Sequence, residues 1–191
     1  MHVMKMKLMN QVGVVLLMLT CHFASAQNTK HLKGQSSPYL QRAANQPVDW
    51  RPFGREAFLE AQRLNRPILL DVGAIWCPWC SRMDKESYTV PETAAYINRN
   101  FVAVKVDYDS AGPLVAELQR AQAILNLPAG LPLTSFITPR GELYYGDGYL
   151  PPARAGDKSS FKEAMAEALR LYKDQSSIHA NSFSLDIANL K

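Results

Sequence analysis

The stretch PILLDVGAIWCPWC, residues 67–80, is where the reading of this chain begins. Its short continuous apolar run, Ile68–Val72, fits a central strand buried on both faces of a sheet. That strand delivers the chain directly to two cysteines three positions apart, Cys77 and Cys80, and the residues beyond them, SRMDKESY, can continue as a helix. Residues three apart in a first helical turn share a face, so the two sulfurs can pair or separate without large backbone movement. Cys77 falls at or near the helix N-cap, where unsatisfied N–H groups and the positive end of the helix dipole favour a thiolate. Cysteines in such motifs fall from a pKa of about 8.5 into the range of about 3.5 to 7.5. Cys77 is therefore expected to attack, and Cys80, one turn deeper, to resolve the mixed disulfide. Pro78, which lacks an N–H, suits the first helical position.

Asp71 interrupts the apolar strand, and an unpaired buried carboxylate there would be costly. Two readings stand. It is a strand-end acid that reaches solvent or caps a neighbour, or it is a proton acceptor beneath Cys80, since a desolvated carboxylate binds a proton more readily and can exchange it with a thiol.

Working outward, residues 27–53 are polar and punctuated by Pro38 and Pro47, and read as an N-terminal arm with at most one short helical turn. GREAFLEAQRLNRP places Ala57, Phe58, Ala61 and Leu64 at helical spacing before Pro67 stops the helix. TVPETAAYINRNF offers Thr89 and Glu92 as a capping box, with Pro91 in the first turn. FVAVKVDYD reads as a strand and GPLVAELQRAQAIL as an amphipathic helix. PLTSFITPRGELYYGDG reads as two strands turned at Pro139, Arg140 and Gly141. In SSFKEAMAEALRLYK, Ser160 and Glu163 form a second capping box ahead of an apolar stripe from Phe161 to Tyr172. The tail, 174–191, has no strong period and is expected to be loosely held. This alternation followed by a hairpin predicts an α/β fold, a mixed central sheet with helices on both faces, over residues 54–173.

The first 26 residues have the features of a secretory signal: Lys5 and Lys7, the apolar run VGVVLLMLTC, and ASAQ as a cleavage site after Ala26. The run is shorter than the roughly 20 apolar residues of a spanning helix, which disfavours a retained anchor. Thr20 precedes Cys21 where a lipidation site would carry a smaller residue. Cleavage implies a periplasmic or extracellular protein whose remaining cysteines are Cys77 and Cys80. The formal charge of +4 then falls to +2, since 21 basic residues lose Lys5 and Lys7 against 17 acidic ones. So small an excess gives no reason to expect nucleic acid or an anionic membrane as a partner. With 3 cysteines in 191 residues, the chain builds a core without disulfide staples.

PILLDVGAIWCPWC resembles the thioredoxin superfamily, in which a buried strand aspartate precedes a Trp-Cys-x-x-Cys helix start at this spacing. GLPLTSFITPRGEL is similar to that superfamily's cis-proline strand and hairpin, and implies that Pro132, after Leu131, is a cis-proline facing the cysteines and free to dock a substrate strand. SSPYLQRAANQPVDWRPFGREAF, CPWCSRMDKES, FVAVKVDYD and LPLTSFITPRGELYYGDGYLPP together resemble the thioredoxin-like domain of the spermatogenesis-associated thioredoxin family over roughly residues 31–152. Two departures accompany the match. Typical members carry His where Pro78 stands, and continue into a long helical domain resembling sugar epimerases, whereas this chain is read as a short secreted relative.

The resemblance implies a thiol-disulfide oxidoreductase acting on protein disulfides, with Cys77 attacking, Cys80 resolving and Asp71 handling the proton. Trp76 would shield the disulfide, and Trp79 would offer unfolded substrates an apolar contact. The reducing direction is preferred because Asp71 and Trp76 follow the thioredoxin pattern, and an exported reductase would need a donor such as a membrane thiol relay. The alternatives are a binding or chaperone module with a structural disulfide, although so short a loop stabilises weakly, and a thiolate metal carrier, for which His31 and His179 are the remaining distant ligands. No nucleotide cofactor is expected, since no dinucleotide fingerprint or phosphate loop is present. Tyr144, Tyr145 and Tyr149 read as strand and loop residues, and Asp107 and Asp109 as solvated acids without a role.

Overall fold

The computed structural model describes residues 31–174, 178 and 180–186. The signal-like segment, Cys21 and His179 lie outside the described residues. Four of the six strands among the described residues follow the sequence reading or extend it, β2 (Ile68–Gly73), β3 (Val102–Asp107), β4 (Leu133–Ile137) and β5 (Glu142–Asp147), and a fifth, β1 (Trp50–Pro52), lies in the segment read as an arm. With β6 (Phe183–Ser184) they form one sheet in the order β1-β3-β2-β4-β5-β6. The first three run parallel, and β4, β5 and β6 join antiparallel, so the expected mixed sheet is present.

Among the described residues six helices pack on it: α1 (Pro38–Ala43), α2 (Arg55–Leu64), α3 (Pro78–Met83), α4 (Pro91–Asn100), α5 (Gly112–Ile124) and α6 (Phe161–Lys173). Every residue of β2 and β3 is buried, as expected of strands covered on both sides. Side chains alternate between the two faces of a strand. Ile68, Leu70, Val72, Val102, Val104 and Val106 accordingly join Phe58 of α2 and Leu118 of α5 in one core. Leu69 and Ala103 point to the other, with Tyr39 of α1, Met83 of α3, Ile97 of α4 and Met165 of α6. The same alternation sends Asp71 and Lys105 into this second core, and the parallel register sets them directly beside each other.

The segment read as an arm folds into the body of the domain. Ser37 caps α1 by accepting from Leu40 N–H, Pro38 opens the helix, and β1 adds to the edge of the sheet beside β3. Its aromatic residues explain this: Tyr39 and Trp50 are buried, and Trp50 Nε1 donates to Gln46 Oε1 at 2.6 Å. The described part of the tail, residues 174, 178 and 180–186, also differs from expectation. Ile178 and Leu185 are buried and β6 pairs with β5, because a few apolar anchors suffice to hold a segment that shows no helical or strand period.

At the start of α4, Val90 rather than Thr89 is the N-cap, and no side chain caps the helix. Thr89 Oγ1 instead donates to the carbonyl of Lys85, because the preceding helix runs on through a π-helical turn over Asp84–Tyr88. The capping box at α6 is present in full. The β4–β5 hairpin turns at Gly141, whose φ of 92° is a left-handed value that glycine adopts without strain.

Candidate active site

β2 ends at Gly73, and the chain crosses Ala74–Trp76 before α3 begins. Cys77 is the N-cap of α3, Pro78 takes the first helical position, and Cys77 Sγ accepts a hydrogen bond from Cys80 N–H at 3.1 Å. The two cysteines are joined as a disulfide with their Cα atoms 5.3 Å apart. An N–H aimed at Cys77 Sγ stabilises negative charge on that sulfur once the bond opens. Cys77 shows 4% of its surface and Cys80 1%, so the pair is approached from the Cys77 side.

The tryptophans flank this opening. Trp76 is 59% exposed and Trp79 50%. Trp76 Nε1 donates to Asp109 Oδ2 at 2.9 Å, and its ring meets Tyr108 edge-on. Asp109 therefore orients Trp76, a role its position in a polar strand-end loop did not announce. Trp79 packs against Tyr149 with ring centroids 4.9 Å apart, and the Arg82 guanidinium lies over both rings at 5.3 and 5.5 Å. Glu86 completes the group, accepting from Tyr149 Oη at 2.5 Å and from Arg82 Nε at 2.9 Å. The Tyr149 hydrogen bond, then Arg82, holds the Glu86 carboxyl below the usual carboxylate range, while burial and Glu86 push the Tyr149 phenol up.

The Leu131–Pro132 peptide is cis, as the resemblance implies. The pairing of Val72 with Leu133 sets Pro132 at the end of β4 that adjoins the exit of β2, the same edge from which the cysteine loop departs.

Asp71 is fully buried. Its Oδ1 accepts from Tyr88 Oη at 3.0 Å, and its Oδ2 accepts from Tyr39 Oη at 3.0 Å and faces Lys105 Nζ at 2.9 Å. The reading as a solvent-reaching strand-end acid is thereby excluded. Lys105 is buried as well, and bridges to Asp84 Oδ1 at 3.0 Å while lying over the rings of Tyr88, Trp50 and Tyr39 at 4.4, 4.7 and 4.9 Å. Asp84 Oδ2 in turn receives Arg42 at 3.0 Å. Burial, and then the Asp71 charge, push both the Tyr39 and Tyr88 phenols well above their ordinary pKa.

Sequence reasoning singled out Asp71 but not Lys105, Tyr39, Tyr88, Asp84 or Arg42. The available signal was one acid and one base, each interrupting an otherwise apolar strand in adjacent parts of a parallel sheet. His31 lies 3.7 Å from Asp49. Among the described residues no three His, Cys, Asp or Glu side chains are grouped so as to hold a metal ion.

A parallel-then-antiparallel sheet with a Cys-x-x-Cys disulfide at the start of α3, a buried aspartate on the strand before it and a cis-proline opening β4 defines a thioredoxin-fold protein. Within that class the chain belongs to the family described as "Thioredox_DsbH: Protein of unknown function, DUF255", which matches residues 29–188. It is 43% identical over 119 residues to "Uncharacterized protein B0495.5" of Caenorhabditis elegans, covering 62% of this chain and 16% of that protein. It is 32% identical over 142 residues to "Spermatogenesis-associated protein 20" of Rattus norvegicus, covering 74% of this chain and 18% of that protein. The chain thus spans less than a fifth of the length of these relatives. Similar solved structures include "DsbH Oxidoreductase", at 19% identity and TM-score 0.44 over 69% of this chain and 85% of that one. A thioredoxin from Thermus thermophilus matches at 22% identity and TM-score 0.43, over 68% and 88% of the two chains.

Proposed function

We propose that this protein is an exported thiol-disulfide oxidoreductase acting on protein disulfides, running in the reducing direction. The observation that carries the reading is the Cys77–Cys80 disulfide at the N-cap of α3, with the Cys80 N–H aimed at Cys77 Sγ and two exposed tryptophans beside it. Cys77 thiolate attacks a sulfur of the substrate disulfide, forming a mixed disulfide and expelling the first substrate thiolate. Cys80, deprotonated by transfer toward Asp71, then attacks Cys77 Sγ, which closes the Cys77–Cys80 bond and releases the second substrate thiolate. Trp76 and Trp79 form the rim on which an unfolded segment rests, and the chain around Leu131 and Pro132 offers backbone to pair with it. Return to the dithiol needs an external donor, for which a membrane thiol relay is the fitting class. Export follows from the signal-like character of the first 26 residues.

Replacing Cys80 by Ser tests the reading. An interchange enzyme then accumulates covalent mixed disulfides through Cys77 in cells, visible as higher-mass species that collapse on reduction. A binding module with a structural disulfide yields no covalent adduct, and that outcome sinks the proposal.

A further inference from the structure

The polar partners of Asp71 are Tyr39, Tyr88 and Lys105, and Cys80 is not among them. Both oxygens of the Asp71 carboxylate are occupied, Oδ1 by Tyr88 and Oδ2 by Tyr39 and Lys105. The group that borders both residues is the Tyr39 hydroxyl. A side-chain carbon added at Gly73 would overlap that hydroxyl and stand 3.1 Å from Cys80 Sγ. Hydroxyl and sulfur therefore flank the same spot on β2, no more than 5.2 Å from each other, the sum of their distances of 2.1 and 3.1 Å from it, and the spot is left open because residue 73 is glycine.

We propose that Tyr39 is a proton relay between Cys80 and Asp71. The inference rests on the oxidoreductase reading above. A phenol both donates and accepts. Tyr39 donates its proton to Asp71 Oδ2, which leaves its oxygen able to accept from the Cys80 thiol. In resolution of the mixed disulfide, the Cys80 S–H proton passes to Tyr39 Oη as the Tyr39 proton passes to Asp71. Cys80 thiolate attacks Cys77 Sγ, the Cys77–Cys80 bond forms, and the Cys77–substrate bond breaks with its electron pair leaving on the substrate sulfur. When the external donor next reduces the Cys77–Cys80 disulfide, Cys80 is expelled as a thiolate and the proton held by Asp71 returns to it by the same route, while the released substrate thiolates take their protons from solvent. The two electrons that reduce the substrate disulfide come from the Cys77 and Cys80 thiols, which are oxidised to the Cys77–Cys80 disulfide.

The surroundings suit a relay rather than a base. Tyr39 is faced by Asp71 from β2, by Lys105 from β3, by Asp84 and Tyr88 from the π-helical turn, and by Arg42 of its own helix, 5.4 Å from the ring centre. Burial and the two acids keep the phenol protonated, so it conducts a proton and does not store one. Its placement depends on α1, the segment whose sequence reads as an arm.

The test uses the reduced protein and 5,5′-dithiobis(2-nitrobenzoate). Cys77 attack releases one thionitrobenzoate, and Cys80 attack on the resulting mixed disulfide releases a second. Tyr39→Phe is expected to leave the first phase unchanged and slow the second about a hundredfold at neutral pH, the low end of general acid–base effects. The deficit should shrink as pH rises and hydroxide removes the Cys80 proton directly. A second phase within twofold of the unaltered protein overturns the relay. Release of fewer than two thionitrobenzoates per molecule of the unaltered protein refutes the oxidoreductase reading itself. Should Tyr39→Phe fail to fold, the second phase of the unaltered protein is measured in H2O–D2O mixtures. A bowed dependence reports two protons in flight and supports the relay, and a straight line overturns it.

Discussion

Lys105→Met removes the one ammonium between two buried carboxylates and leaves its hydrocarbon volume nearly filled. Its Nζ stands 2.9 Å from Asp71 and 3.0 Å from Asp84, with the side chain fully enclosed. The losses at the two acids are unequal. Asp84 keeps Arg42, whereas Asp71 keeps only the neutral hydroxyls of Tyr39 and Tyr88. The cost is therefore that of one buried ion pair broken from one side, about 3 to 5 kcal/mol. Methionine still packs on the rings of Tyr39, Trp50 and Tyr88, so loss of the cation–π contacts adds little beyond this. At about 2 to 4 °C per kcal/mol for a chain of this size, the midpoint should fall by about 6 to 20 °C. Urea unfolding of the oxidised protein, followed by far-ultraviolet circular dichroism, measures this without interference from the disulfide. Adding Asp71→Asn to Lys105→Met should restore a large part of the loss, since the stranded charge goes with it. A single-variant cost under about 1 kcal/mol, a value typical of exposed pairs, would mean that Lys105 does not neutralise a buried Asp71 charge.

Tyr88→Phe removes one donor from Asp71 and should cost about 1.5 to 3 kcal/mol in the same urea assay, as for a hydrogen bond to a charged group. Gly73→Ala forces a methyl against the Tyr39 hydroxyl, and overpacking of this kind should cost about 1 to 3 kcal/mol, with a matching loss of the near-ultraviolet tyrosine signal. Glu86 is held below its ordinary pKa of 4.5 by Tyr149 and Arg82 in the folded protein. A depressed carboxyl contributes stability that is present above its unfolded value and lost as pH falls through the folded value. The Trp79–Tyr149 contact should therefore loosen below about pH 4.5, seen in the indole resonance of Trp79, and Glu86→Gln should abolish that dependence.

Much of the site is written locally. Cys77 as N-cap and Pro78 at the first helical position follow from residues that touch each other in sequence, and so does the burial of β2. The partners of Asp71 are a different matter. Tyr39 is 32 residues away, Tyr88 lies 17 positions on, and Lys105 becomes its neighbour only through the register of β2 with β3. A lysine among valines resembles the polar side of a half-exposed strand until β1 and β2 are known to flank β3 on either edge. The arm and tail escaped for a related reason. The arm is held by Leu32, Tyr39, Leu40, Ala43, Val48 and Trp50, and the described part of the tail by Ile178 and Leu185, apolar residues too scattered among polar ones to leave a periodic trace. Asp109 and Tyr149 are likewise placed by the fold beside tryptophans distant in sequence.

The reduction potential of the Cys77–Cys80 pair, equilibrated in dithiothreitol or glutathione buffers, separates a redox centre from a structural disulfide. A catalytic pair of the kind proposed is a readily reversible couple near thioredoxin's about −270 mV. A pair that stays oxidised in buffers poised well below about −300 mV is a structural staple, and would contradict the catalytic reading.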